Sequence, residues 1–219
     1  MIIAIDGPAG VGKSTVAKLL ATRLGYLYLD TGALYRAIAW KTLQLRIRPT
    51  DSVQVATLLP TTSIHMQFYQ GAMQVLVDGL DVTDQLRTPE VTAAASIVSA
   101  IPAVREWLLP VQRQIGQGGS VVAEGRDIGT KVFPAAAFKF FLDADATVRV
   151  ARRHRELVAA GRGASIETTS QDISVRDQRD RTRSIDPLVP AMDARFIDTS
   201  TLSPDQVVEQ MIAAVSTGL

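Results

Sequence analysis

Near the start of the chain, Gly7-Pro8-Ala9-Gly10-Val11-Gly12-Lys13-Ser14 fits the pattern G-x-x-x-x-G-K-[ST] at every fixed position. Such a loop curls its backbone so that successive N–H groups turn inward and form a nest for an anion. Its flanks agree. Ile2 to Ile5 is a continuously apolar run, as expected of a strand buried on both faces. Lys13 to Leu24 then reads as a helix with Val16, Ala17, Leu20 and Leu24 on one stripe, and Gly25 is placed to cap it. Strand, loop and helix in this order aim a helix N-terminus at the same anion. The reading is a P-loop in which Gly7, Pro8, Ala9, Gly10, Val11, Gly12, Lys13, Ser14 and Thr15 hold the phosphates of ATP. Lys13 neutralises the β- and γ-phosphates, and the Ser14 hydroxyl ligates Mg²⁺.

Tyr26 to Leu29 is a second short strand, which completes a βαβ unit and makes the sheet parallel. Val121 to Ala123, Phe138 to Leu142 and Phe196 to Ile197 supply three more strands, with helical patterns between them. Ser203 and Gln206 make a capping-box pair around Pro204, opening a last helix that turns Val207, Val208, Met211, Ile212 and Val215 to the core. This is a three-layer α/β domain with a five-stranded parallel sheet. Two stretches break the alternation. Within residues 45–95, Ile64 to Tyr69 and Met73 to Val77 flank Gln70-Gly71-Ala72 as a hairpin, Asp78-Gly79 is a further turn, and a short strand falls near Val82. This reads as an inserted subdomain. Residues 152–172 are basic and then polar around Gly161-Arg162-Gly163, and read either as a mobile lid or as an exposed helix–loop–helix.

Composition narrows the function. A net charge of +1 over 219 residues leaves no electrostatic footprint for general nucleic-acid or membrane binding. The chain has no cysteine, which excludes disulfides and thiolate metal sites and fits a reducing compartment. No signal peptide or membrane span is read, so the expected location is the cytoplasm. The chain also has no asparagine, so the Asn-Lys-x-Asp reader of guanine is impossible in its usual form.

Val121-Val122-Ala123-Glu124 ends in a carboxylate followed by Gly125-Arg126-Asp127. At the C-terminal end of a core strand, where α/β folds bind ligands, Glu124 is placed to hold Mg²⁺ through water. Arg126 can meet a phosphate and Asp127 a base; the alternative is a neutral surface pair. Arg176-Asp177-Gln178-Arg179-Asp180-Arg181-Thr182-Arg183 packs four arginines into eight residues. If helical, it sets Arg176, Asp180 and Arg183 on one face and lets Asp177 pair with Arg181. A solvent-facing ion-pair helix has the same pattern, but phosphoryl transfer needs cations on the transferring oxygens, which clustered arginines can supply.

Together with Gly7–Thr15, the segments Asp30-Thr31-Gly32-Ala33-Leu34-Tyr35-Arg36, Glu124 to Thr130, Arg176 to Arg183 and Pro187-Leu188-Val189-Pro190-Ala191 resemble the bacterial-type cytidylate kinases over nearly the whole chain. The resemblance implies a P-loop nucleotide kinase fold over 1–219, with a nucleoside-monophosphate-binding insert at about 45–95 and a lid at 152–172. It implies transfer of the ATP γ-phosphate to CMP and dCMP with Mg²⁺, usually by a monomer. By the same resemblance Lys13, Arg126, Arg179 and Arg183 are catalytic. Arg36, Arg126 and Arg183 grip the α-phosphate of CMP; Ser96, Arg105 and Asp127 face the cytosine; Arg176 and Asp180 lie near the sugar; and Thr31 stands where serine is common. The residues themselves leave two rivals open: a kinase for another small acceptor, and a nucleotide-dependent switch protein.

Overall fold

The computed structural model describes residues 1–69, 72–163 and 165–217. In chain order its elements are β1 (Ile2–Asp6), α1 (Lys13–Leu24), β2 (Leu27–Asp30), α2 (Thr31–Gln44), α3 (Ser52–Leu58), β3 (Ile64–Tyr69), β4 (Ala72–Val77), β5 (Leu80–Asp81), α4 (Pro89–Val98), α5 (Pro102–Gly116), β6 (Val121–Gly125), β7 (Phe138–Asp143), α6 (Ala146–Ala159), α7 (Ile166–Thr182), β8 (Arg195–Asp198) and α8 (Pro204–Ser216). They fall into two compact units, Met1–Asp30 with Arg113–Leu219, and Thr31–Gln112.

In the first unit five parallel strands lie in the order β2-β6-β1-β7-β8. Ile3 and Ile5 of β1 share a core with Val122, Phe140 and Leu142 of the neighbouring strands, Val16 and Leu20 of α1, and Val208 and Met211 of α8. The oppositely directed Ala4, Val121 and Ala123 are also fully buried, so the central strands β1 and β6 are covered on both faces and read as apolar runs up to their terminal carboxylates, whereas the edge strand β8 leaves Arg195 and Phe196 exposed. The capping box of Ser203 and Gln206 opens α8 as the sequence predicts.

Helix α1 ends in a Schellman turn. Gly25 takes a left-handed φ of 66°, its N–H donates to Thr22 C=O, and Tyr26 N–H donates to Ala21 C=O. Because Tyr26 spends its N–H on the helix, β2 begins one residue later than the apolar pattern indicates, and it runs on to Asp30.

The second unit carries an antiparallel sheet, β3-β4-β5, with Ile64 paired to Val77 and Tyr69 to Ala72. The hairpin forms where the sequence predicts, except that Ala72, expected in the turn, opens β4; Gln70 and Gly71 lie outside the described residues. The short third strand is Leu80–Asp81 rather than a segment at Val82, which is itself buried while its N–H donates to Val75 C=O. Helices α2 and α4 pack on each other in this unit. In the first unit α6 and α7 form a helical pair, and Ala164 between them lies outside the described residues.

Candidate active site

The P-loop leaves β1 at Asp6 and enters α1 through Gly12, which holds a left-handed φ of 95°. Gly7 is required by close approach: a Cβ there would stand 2.2 Å from the Leu142 carbonyl oxygen at the end of β7. Lys13 is buried, and its Nζ donates to Pro8 C=O at 2.7 Å across the loop. Burial first, and then the charges of Arg126 and Arg176, push the Lys13 ammonium well below its usual pKa, against the pull of Glu124 and Asp180. A phosphate arriving beside this cation would relieve that unfavourable environment.

Glu124 stands at the end of β6 opposite Asp30 of β2. Its carboxylate accepts the Tyr28 hydroxyl at 2.5 Å and a hydrogen bond from Ser14. Burial and then the Asp30 charge raise its pKa, while Lys13, Ser14 and Tyr28 favour its ionised form. Burial, with Glu124 and Asp30, also pushes the Tyr28 phenol far up, so it remains a donor. The side chains of Ser14, Glu124 and Asp30 offer only hard oxygen donors. This fits Mg²⁺, which takes one or two carboxylates and fills its octahedron with water and substrate phosphate.

Beyond β6 the chain places Arg126 and Asp127 against α7. Arg126 Nε donates to Asp180 Oδ2 at 2.7 Å, Arg183 Nη2 to Asp127 Oδ1 at 3.5 Å, and Arg183 Nη1 lies 3.9 Å from Asp180 Oδ1. Asp180 is buried, which would raise its pKa, but Arg126 and Arg176, with Arg183, outweigh that and hold the carboxyl below its usual range. Arg176 and Arg179 lie half-buried on α7. Arg183 is not on the helix with them: α7 ends at Thr182, and Arg183 is its extended cap, tied by Nε to Asp186 C=O. The expected Asp177–Arg181 pair is not formed. Asp177 is buried and pairs with Arg149 of α6, while Arg181 is exposed.

In the second unit, Thr31 opens α2 and is buried, and Arg36 lies one turn further on. Ser96 of α4 and Arg105 of α5 are buried as well. The Arg105 guanidinium sits 5.5 Å from the centre of the Tyr35 ring, beside Arg36 in sequence, and donates to Ser99 C=O at 3.2 Å. The site residues expected from sequence thus divide, with Lys13, Ser14, Glu124, Arg126, Asp127, Arg176, Arg179, Asp180 and Arg183 on the first unit and Thr31, Arg36, Ser96 and Arg105 on the second.

Sequence reasoning passed over Asp6, Tyr28 and Arg149, and gave Asp177 only a partner on its own helix. Asp6 accepts the N–H groups of Ile128 and Gly129, both at 2.8 Å, just past Asp127. An acid closing an apolar strand next to Gly7 was a readable signal for it. Nothing in the local pattern marks Arg149, whose contacts with Asp177 and Ala9 span 28 and 140 residues of sequence.

A family described as cytidylate kinase matches the chain over residues 3–217. A cytidylate kinase of Pelotomaculum thermopropionicum is 46% identical over 217 residues, covering 99% of this chain and 96% of that protein. One from Desulforamulus reducens is 48% identical over 216 residues, covering 99% and 97%. The solved structure of an uncharacterized protein from Eubacterium ventriosum shares the fold at a TM-score of 0.55, with 13% identity over 99% of this chain and 98% of that one. With a family match that runs almost from end to end and relatives close to half identical over nearly their whole lengths, the chain belongs to the cytidylate kinase family.

Proposed function

We propose that this chain transfers the γ-phosphoryl group of ATP to CMP and dCMP, giving ADP and the pyrimidine nucleoside diphosphate. The observation that carries the reading is the arrangement on the first unit, where the buried P-loop lysine feels the charges of a strand-end carboxylate and of the hydrogen-bonded Arg126–Asp180 pair. Membership of the family supplies the acceptor.

In the transfer, the bond from the γ-phosphorus to the β-phosphate oxygen breaks, and a bond to an α-phosphate oxygen of CMP forms. That acceptor oxygen is already ionised, so no side chain has to remove a proton. The work left to the protein is alignment and charge neutralisation. Lys13 serves the β- and γ-oxygens. Arg126 and Arg183, released from Asp180 and Asp127 as substrate enters, serve the transferring group and the acceptor phosphate, with Arg179 beside them on α7. Arg176 and Asp180 serve the sugar, and Asp127 accepts from the cytosine amino group. On the second unit Thr31 and Arg36 serve the acceptor phosphate, and Ser96 and Arg105 the cytosine. Cytosine offers O2 and N3 as acceptors, which suits an arginine donor; uracil reverses the pattern at N3. Ser14 and Glu124 would hold Mg²⁺, which offsets charge on the triphosphate when bound with ATP. The segment 152–172 is assigned to excluding water, which otherwise competes with CMP for the phosphoryl group.

The test is a panel of monophosphates (CMP, dCMP, UMP, AMP and GMP) with the purified chain, ATP and Mg²⁺, following ADP release. Fastest turnover with CMP or dCMP supports the reading; faster turnover with any other acceptor overturns it.

A further inference from the structure

One peptide of the P-loop is gripped from outside the loop. Ala9 N–H donates to Asp177 Oδ1 at 3.1 Å, and Ala9 C=O accepts Arg149 Nη1 at 3.0 Å. The same Arg149 nitrogen donates to Asp177 Oδ2, closing a three-membered ring of contacts, and Arg149 Nε is fixed on Ala144 C=O at 3.1 Å. Both side chains are buried, and all of these groups belong to the first unit. The helix also lies tight against the loop. A Cβ on Gly10 would stand 2.7 Å from the Arg149 carbonyl oxygen, and Gly10 holds a left-handed φ of 74°.

A buried ion pair is a poor source of stability, since well-packed apolar residues usually serve as well or better. Its geometry is more telling. Asp177 is flanked on α7 by Arg176 and Asp180, whose charges both act on Lys13. Fixing Asp177 to Ala9 therefore sets the register between the loop and the charged face of α7.

We infer that Arg149 and Asp177 are positioning residues for phosphoryl transfer, a clamp on the Ala9 peptide that keeps the P-loop aligned with Arg176 and Asp180. Neither touches the reacting atoms. The inference rests on the kinase reading above. If the clamp aligns rather than binds, its loss falls on kcat and spares KM, because the remaining loop N–H groups still meet the triphosphate.

The experiment compares Asp177→Asn, Arg149→Lys and the double variant for kcat and for KM of ATP and of CMP, with thermal unfolding followed on the same preparations. Each single variant is expected to lower kcat about 10-fold or more with both KM values within about 3-fold, and the double variant to be little worse than the poorer single, as for two parts of one device. A folded single variant with kcat within about 2-fold of the parent, a loss carried wholly in KM, or losses that multiply in the double variant would each overturn the clamp. Should Asp177→Asn melt below the assay temperature, Arg149→Lys decides by the first two criteria. Absence of CMP-dependent turnover in the unsubstituted chain would instead remove the kinase reading.

Discussion

Tyr28 donates its phenolic hydrogen to Glu124 Oε1 at 2.5 Å, across neighbouring strands of the parallel sheet. Burial keeps that phenol protonated, so the contact is a fixed donor on the carboxylate proposed to meet Mg²⁺. Groups that orient a metal-holding carboxylate typically govern metal affinity by about 10-fold or more. Tyr28→Phe should therefore raise the Mg²⁺ concentration for half-maximal rate by about that factor while leaving metal-free ATP binding unchanged. Mn²⁺ binding followed by electron paramagnetic resonance gives a second readout. An unaltered metal titration would remove Tyr28 from this role.

Arg126 and Arg183 are paired with Asp180 and Asp127 in the structure, and the proposed transfer would move them onto phosphate instead. Arg126→Ala and Arg183→Ala should each lower kcat by about 10³-fold, the scale of an arginine that stabilises transferring charge. ATP affinity, measured by calorimetry, should change by no more than a few-fold. Near-normal turnover in either variant would contradict the assignment.

Asp6 gives a pH signature. Burial raises its pKa from 3.8 to about 6 despite the N–H groups of Ile128 and Gly129. The folded chain therefore holds a proton between pH 4 and 6 that the unfolded chain releases. Stability falls as pH rises through that window and is level above it, a loss of about 3 kcal/mol from this group. In Asp6→Asn that component is absent. Chemical denaturation of both proteins at pH 4 to 7 should show a difference in slope below pH 6 and parallel curves above it; parallel curves throughout would contradict the shift.

Gly7→Ala tests close approach rather than chemistry. Its methyl group would overlap the Leu142 carbonyl oxygen, an atom held in the sheet. A loss of about 1–3 kcal/mol is expected, together with weakened ATP binding because the loop must shift. Unchanged melting temperature and ATP affinity would show that the backbone yields there without cost.

The elements that sequence pattern found are those whose causes are local. α1 is bounded by glycines with left-handed backbones at both ends, α8 has a capping box, and the central strands β1 and β6 are apolar on both faces. The P-loop was legible for the same reason, since its chemistry lies in eight consecutive residues. What pattern missed is long-range. The partner of Asp177 was expected four residues away on its own helix, yet it lies on α6, because burial against the P-loop outweighs an exposed pair worth a few tenths of a kcal/mol. Arg183 was expected on the helix, but the chain turns out at Thr182, and Leu188 N–H returns to Asp180 C=O to stabilise that exit. Ser96 was identifiable only through family resemblance, because a serine among alanines on a helix carries no mark of its own.

The Schellman turn at Gly25 also acts as a length gauge for the chemistry. Strand side chains alternate in direction, so the residue at which α1 stops dictates which side chains of β2 point toward Glu124. Tyr28 and Asp30 share that side; Leu29, fully buried, takes the other. One residue inserted or removed between Gly25 and Leu27 would exchange the phenol for a leucine and silence the carboxylate pair without altering any residue of the site. This bend should thus be intolerant of length change, though none of its residues belongs to the candidate site.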